Sequence, residues 1–148
     1  MRIAVVPGDG IGAEVVPAAL RVLDAVTGSY GLELCYDVFD WGAQRWLDDG
    51  VGLPEGALGD LRRDYRAVFL GALGDPRIPD MAHGREILLG LRRGLDLYVN
   101  HRPVELPHGT LDVYRENTQG LYVGWVDRSN AARRSTWPST SACTQGIL

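Results

Sequence analysis

The first stretch whose residue types and spacing could do chemistry is a glycine-rich turn, Pro7-Gly8-Asp9-Gly10-Ile11-Gly12-Ala13. Gly8-x-Gly10-x-x-Ala13, with Asp37 and Asp40 further along, fits a relaxed dinucleotide-binding pattern. In that pattern bare backbone approaches a pyrophosphate at a helix N-terminus. The same glycines equally suit a tight strand-to-helix turn that needs their geometry and binds nothing. The pattern alone leaves both readings open. All 15 positive charges are arginine, so no lysine of this sequence can act as a general base, a Schiff base or a phosphate clamp. Cys35 and Cys143 lack metal-ligand spacing and read as bystanders. His83, His101 and His108 show no base or ligand partner and are expected to be exposed or incidental.

Bulk properties narrow the partners. A formal net charge of −4 would not draw the chain to nucleic acid or to an anionic membrane. No apolar run approaches the ~20 residues of a membrane span, and Pro7-Gly8 falls too early for a signal peptide's apolar region. A cytoplasmic setting is the expectation. The 148 residues, 45% of them hydrophobic, are enough for one ordinary domain with a core.

The elements that must carry these groups follow from periodicity. Arg2 to Val6 is a short β-branched run, as for a strand buried on both faces. A helical period follows, with Val15, Ala19, Val22 and Val26 on one stripe and Val16, Leu20 and Leu23 beside it. Pro17 predicts a kink or a late start, and Gly28 a stop. Alternation from Leu34 to about Asp40 predicts a second strand. Leu58 to Asp64 reads as a short helix, Ala67 to Leu70 as a third buried strand, Gly71 to Gly84 as a loop, Ile87 to Arg93 as a helix and Leu95 to Asn100 as extended. Strand, helix, strand, helix, strand is the rhythm of an α/β layer with parallel strands. Residues 125–148 show neither period and are expected to be unstructured.

Four segments in order carry a resemblance. Pro7 to Val15 closely resembles the opening of the β-decarboxylating dehydrogenases, the family of isopropylmalate, isocitrate, tartrate and D-malate dehydrogenases. There the loop opens the large α/β domain and is not a Rossmann phosphate loop. Phe69-Leu-Gly-Ala-Leu-Gly-Asp-Pro76 is similar to the family's strand and glycine-rich loop beside the nicotinamide. Leu91-Arg-Arg-x-x-Asp-Leu-Tyr-Val-Asn-His-Arg-Pro103 resembles its first substrate motif, and Tyr114 to Gly124 its second.

The resemblance implies a fold and a reaction. The fold would be an incomplete isopropylmalate dehydrogenase-like α/β fold. Residues 1–100 would form the N-terminal part of the large parallel-sheet domain and residues 101–124 the start of a shortened small domain, ahead of the tail. The reaction would be NAD-dependent oxidative decarboxylation of a small 2-hydroxy di- or tricarboxylate, assisted by Mg²⁺ or Mn²⁺, in an enzyme that forms homodimers. Arg92, Arg102 and Arg115 would clamp substrate carboxylates, as planar, permanently charged forks suit. Tyr122 would donate a proton to the enol intermediate. Ile11, Gly74, Asp75 and Pro76 would face the cofactor. Leu88 and Leu89 suit an apolar substituent as in isopropylmalate. Arg85, where isopropylmalate enzymes carry an acid, and the Asp75-Pro76-x-x-Pro79-Asp80 loop look closer to tartrate-type members. Isopropylmalate, tartrate and D-malate all stay open as substrate types. The catalytic lysine and metal-binding aspartates of the family have no counterpart in these 148 residues. The expectation is therefore a chain inactive alone or, alternatively, a non-catalytic carboxylate-binding module.

Overall fold

A computed structural model describes residues 1–119. Its centre is a three-stranded parallel sheet built of β1 (Arg2–Gly8), β2 (Cys35–Val38) and β3 (Ala67–Ala72), in the order β2-β1-β3. The parallel α/β layer read from the sequence is the observed one. Side chains alternate across a strand, and β1 uses both faces. Ile3 and Val5 pack with Val16, Leu20, Leu34, Tyr36 and Phe69 on one side. Ala4 and Val6 pack with Trp41, Ala57, Leu61, Ile87 and Leu91 on the other.

The first face is covered by α1 (Ile11–Tyr30), which runs unbroken through Pro17 and past Gly28 to a left-handed cap at Gly31. Its inward stripe differs from the expected one. Val15, Val22 and Val26 are exposed, whereas Gly12, Val16 and Thr27 are buried. The cause lies at the start of the helix. A Cβ on Gly12 would stand 2.1 Å from the Pro7 carbonyl oxygen and 2.9 Å from the Ala72 nitrogen. Glycine there lets the helix lie against the β1 turn and β3, and residues spaced by about 3.6 from it face inward with it. Val15, Val22 and Val26 are thereby turned outward.

The second face is covered by α2 (Ala43–Asp49), which sequence periodicity did not reveal, α3 (Ala57–Asp64) and α4 (Ala82–Gly94). α4 starts five residues before the expected Ile87, inside the segment read as a loop. Glu86 explains part of its placement, because its Oε1 accepts the backbone N–H groups of Gly52 and Leu53, both at 3.0 Å. The β2 strand is shorter than expected, and Phe39 beyond it turns to pack on the second face. The expected extended stretch from Leu95 is a helix exit. Asp96 has φ 55°, and the Leu97 N–H returns to the Arg92 carbonyl at 2.8 Å.

β4 (Val99–Leu106) and β5 (Gly109–Glu116) then pair as an antiparallel hairpin in the register Asn100↔Arg115 and Arg102↔Val113. Almost every residue of the hairpin is exposed. Asn117 is buried beyond β5, and its side-chain amide donates to the Leu97 carbonyl at 3.5 Å. This tethers the end of the hairpin to the exit of α4. Among the described residues, no helix is long and apolar enough to cross a membrane.

Candidate cofactor loop and carboxylate-binding arginines

The topology marks one place for a ligand. After β1 the chain crosses to the α1 face, and after β3 it crosses to the α4 face. The adjacent carboxyl ends of β1 and β3 therefore part at a switch point, where open α/β sheets open a crevice. Two glycine-bearing turns meet there. The Asp9 N–H donates to the Ala72 carbonyl at 2.7 Å. A Cβ on Gly10 would lie 3.8 Å from the Gly74 carbonyl oxygen. Backbone thus approaches backbone where the two turns meet.

Asp9 holds the two turns together. Its Oδ1 accepts the Ala43 N–H at 2.6 Å at the start of α2. Its Oδ2 accepts the Gly74 N–H at 3.0 Å and faces His83 Nε2 at 2.9 Å. The His83 side chain is fully buried and Asp9 is 8% exposed. This corrects the expectation of an exposed or incidental His83: its partner is remote in sequence and is brought to it by the first turn of α4. His101 also has a partner. Its Nε2 lies 2.7 Å from Asp112 Oδ1, and its ring stacks on Tyr114 at 4.6 Å between centroids.

The four residues expected to face the cofactor share this end of the sheet. Ile11, 65% exposed, opens α1 immediately after Gly10. Gly74 and Asp75 follow β3, and Pro76 is exposed beside them. Asp75 is locked by Arg77, whose Nε and Nη2 donate to its two oxygens at 3.0 and 2.7 Å and whose backbone N–H donates at 2.8 Å. Those hydrogen bonds hold the Asp75 carboxyl down to about 2. Arg77 Nη1 reaches Gln44 Oε1 at 3.1 Å, joining the loop to α2.

The three arginines occupy three elements. Arg92 lies in the last turn of α4 and is half-buried. Arg102 and Arg115 lie on opposite strands of the hairpin. Because Asn100 is opposite Arg115, Arg102 is the diagonal neighbour of Arg115 on the same face, a spacing long side chains span. Arg102 Nε donates to Asn100 Oδ1 at 3.0 Å. The tether from Asn117 to Leu97 joins the hairpin to the helix that carries Arg92. Tyr122 and the tail expected over 125–148 lie outside the described residues. Leu88 and Leu89 are half-buried on α4, and Arg85 extends into solvent 3.7 Å from Asp80. Among the described residues, no three His, Cys, Asp or Glu side chains are grouped to hold a metal ion.

Two glycine-bearing turns meeting at the β1/β3 switch point mark an open parallel α/β protein, and comparison with known proteins gives its family. The sequence model of the isocitrate/isopropylmalate dehydrogenase family matches residues 2–143. The chain belongs to that family. It is 42% identical over 137 residues to the 3-isopropylmalate dehydrogenase of Thermobifida fusca, covering 84% of this chain and 38% of that protein. It is 44% identical over 147 residues to the enzyme of the same name from Bifidobacterium longum subsp. infantis, covering 91% of this chain and 41% of that protein. Among solved structures it resembles the apo β-decarboxylating dehydrogenase of Thermococcus kodakarensis. The TM-score is 0.65 at 38% identity, covering 80% of this chain and 34% of that one. The chain thus spans about two fifths of the length of these curated relatives.

Proposed function

We propose that this chain supplies the nicotinamide-side loop and the carboxylate-binding arginines of an NAD-dependent dehydrogenase that oxidises and decarboxylates a 2-hydroxy di- or tricarboxylate. The observation that carries the reading is the meeting of the Asp9–Gly10 turn with the Gly74–Asp75 loop at the switch point. Bound NAD would supply the acceptor for the hydride from C2 of the hydroxy acid. Ile11 and Pro76 offer it apolar surface, and Gly74 and Asp75 are held in place by Asp9 and Arg77. Arg102 and Arg115 grip one carboxylate from the hairpin face, and Arg92 receives a second from α4. Tyr122 returns a proton to the enol that decarboxylation leaves.

The described residues do not fit a metal site, so the Mg²⁺ or Mn²⁺ of the family is assigned no ligand among them. None of these residues is a lysine, so the proton acceptor for the substrate hydroxyl is not assigned here either. The chain alone is proposed to bind the acid without turning it over, in a cytoplasmic setting and with a second copy as its protein partner. Residues 1–100 serve the cofactor side and 101–124 the substrate and dimer side. Among the isopropylmalate, tartrate and D-malate types, the half-buried Leu88 and Leu89 favour an apolar substituent as in isopropylmalate.

Calorimetry with isopropylmalate, tartrate and malate tests the binding, alongside NAD reduction with Mg²⁺. Heat of binding that disappears in Arg92→Ala and in Arg115→Ala is the expected result. Binding unchanged in both variants would refute the clamp, and turnover by the chain alone would refute its dependence on further groups.

A further inference from the structure

His83 has no role in the chemistry proposed above, yet it is among the most deeply buried side chains of the molecule. Burying an imidazole is unfavourable unless its nitrogens are satisfied. Only one is: Nε2 faces Asp9 Oδ2 at 2.9 Å, while Nδ1 is buried with no hydrogen-bond partner. The asymmetry settles the proton. The Asp9 carboxylate accepts the Gly74 and Ala43 N–H groups and has no hydrogen to give. Nε2 must therefore be the donor. A proton on Nδ1 would be a buried, orphaned donor, whereas a bare Nδ1 lone pair is the milder loss. The ring thus carries a hydrogen on Nε2.

The position of this contact matters as much as its chemistry. Asp9 Oδ2 is shared between His83 and the Gly74 N–H. A carboxylate free to rotate about its Cβ–Cγ bond would not hold Gly74 in one orientation. Three donors from three separate elements remove that freedom: Ala43 from α2, Gly74 from the loop after β3 and His83 from α4. His83 also sits nine positions before Arg92 on the same helix. One hydrogen bond therefore joins the helix of the substrate arginine to the turn and loop of the cofactor side.

We propose that His83 is a positioning residue: by donating Nε2–H to Asp9 it fixes the carboxylate that orients Gly74, and so ties the α4 helix to the glycine-rich loop. The proposal rests on the cofactor reading for its purpose, but the linkage is a property of the chain whether or not NAD binds.

NMR on the full chain tests it. The ¹⁵N spectrum of the imidazole should show a pyrrole-type Nε2 and a pyridine-type Nδ1; the reverse tautomer would overturn the proposal. Amide hydrogen exchange is then compared for His83→Leu and His83→Gln. Glutamine carries an amide N–H as many bonds from Cα as Nε2 of histidine, so it can restore the donor. Exchange at Gly74 and Ala43 should accelerate at least about tenfold in His83→Leu and stay within about threefold of the parent in His83→Gln, with Val5 and Val6 unchanged in both. Unchanged Gly74 exchange in His83→Leu, or equal acceleration in both variants, would overturn it. If His83→Leu fails to fold, the tautomer and the His83→Gln exchange decide alone, acceleration in the latter overturning the proposal. NAD titration of the parent separates the two readings. Absence of NAD-induced shifts at Gly74 and Asp75 would refute the cofactor assignment while leaving the tautomer and exchange results standing.

Discussion

Replacing Asp9 by asparagine preserves the shape of the side chain and removes one of its two acceptor oxygens, so its cost can be worked from the contacts. In one orientation the new NH₂ takes the place of Oδ1 and opposes only the Ala43 N–H. That leaves the Ala43 N–H and the new NH₂ facing each other without an acceptor, at about 1–3 kcal/mol, and turns the bonds from Gly74 and His83 from charge-assisted to neutral, at roughly 1 kcal/mol each. In the other orientation the NH₂ opposes both Gly74 N–H and His83 Nε2–H. That strands two donors, or forces the histidine into its other tautomer with a buried Nδ1–H. The first orientation is cheaper, and Asp9→Asn should destabilise the chain by about 3–5 kcal/mol, a large share of the ~5–15 kcal/mol typical of a domain. Urea unfolding followed by far-ultraviolet circular dichroism measures it. Asp40→Asn is the control, because Asp40 is 83% exposed and meets Arg45 only at 3.5 Å, a surface pair worth about 0–1 kcal/mol. A loss at Asp9 below about 1 kcal/mol, or one equal to that of the control, would refute the reasoning that a buried carboxylate organises the loop.

Three further outcomes follow from the packing and charge. Ile87 is fully buried where α4 meets the sheet, and Ile87→Ala should cost about 3–4 kcal/mol in urea unfolding from lost burial and the cavity left behind. A Cβ at Gly71 would stand 2.1 Å from the Pro7 carbonyl oxygen. Backbone cannot yield as a side chain does, so Gly71→Ala should cost about 2–3 kcal/mol or prevent folding, seen as a lowered urea midpoint. Asp75 titrates at about 2 in the folded chain, below its ordinary 3.8, because Arg77 hydrogen-bonds it. A carboxyl depressed in this way contributes stability above its unfolded value and loses that contribution as pH falls toward about 2. Carboxyl ¹³C titration should show the midpoint rising toward 3.8 in Arg77→Ala, and an unmoved midpoint would contradict the Arg77 contacts.

Much of the fold was legible because local pattern and tertiary role coincide. The run Ile3 to Val6 is apolar at every position, and it is the central strand that packs on both faces. The start of α4 was less legible. Met81 to Gly84 looks like loop by composition, and it becomes the entry to a helix because Ile87 and Leu91 dock on the sheet and Glu86 caps the Gly52 turn. The face of α1 was misread for a related reason. Val15-Ala19-Val22-Val26 is as good a stripe as Val16-Leu20-Leu23-Thr27 by periodicity, and only the close approach of Gly12 to Pro7 and Ala72 selects between them.

From the sequence by itself came the parallel α/β layer, the family and the arginines and glycine loops to inspect, since strand and helix periods and ordered motifs are local properties of the chain. Tertiary structure alone decided how they meet. The Asp9–Gly74 contact spans 65 positions and the Asp9–His83 contact 74, distances over which no periodicity reports. A histidine that looked incidental is buried because α4 carries it to a carboxylate on the opposite side of the β1–β3 switch point, and a buried hydrogen bond exists only when both partners have been delivered there.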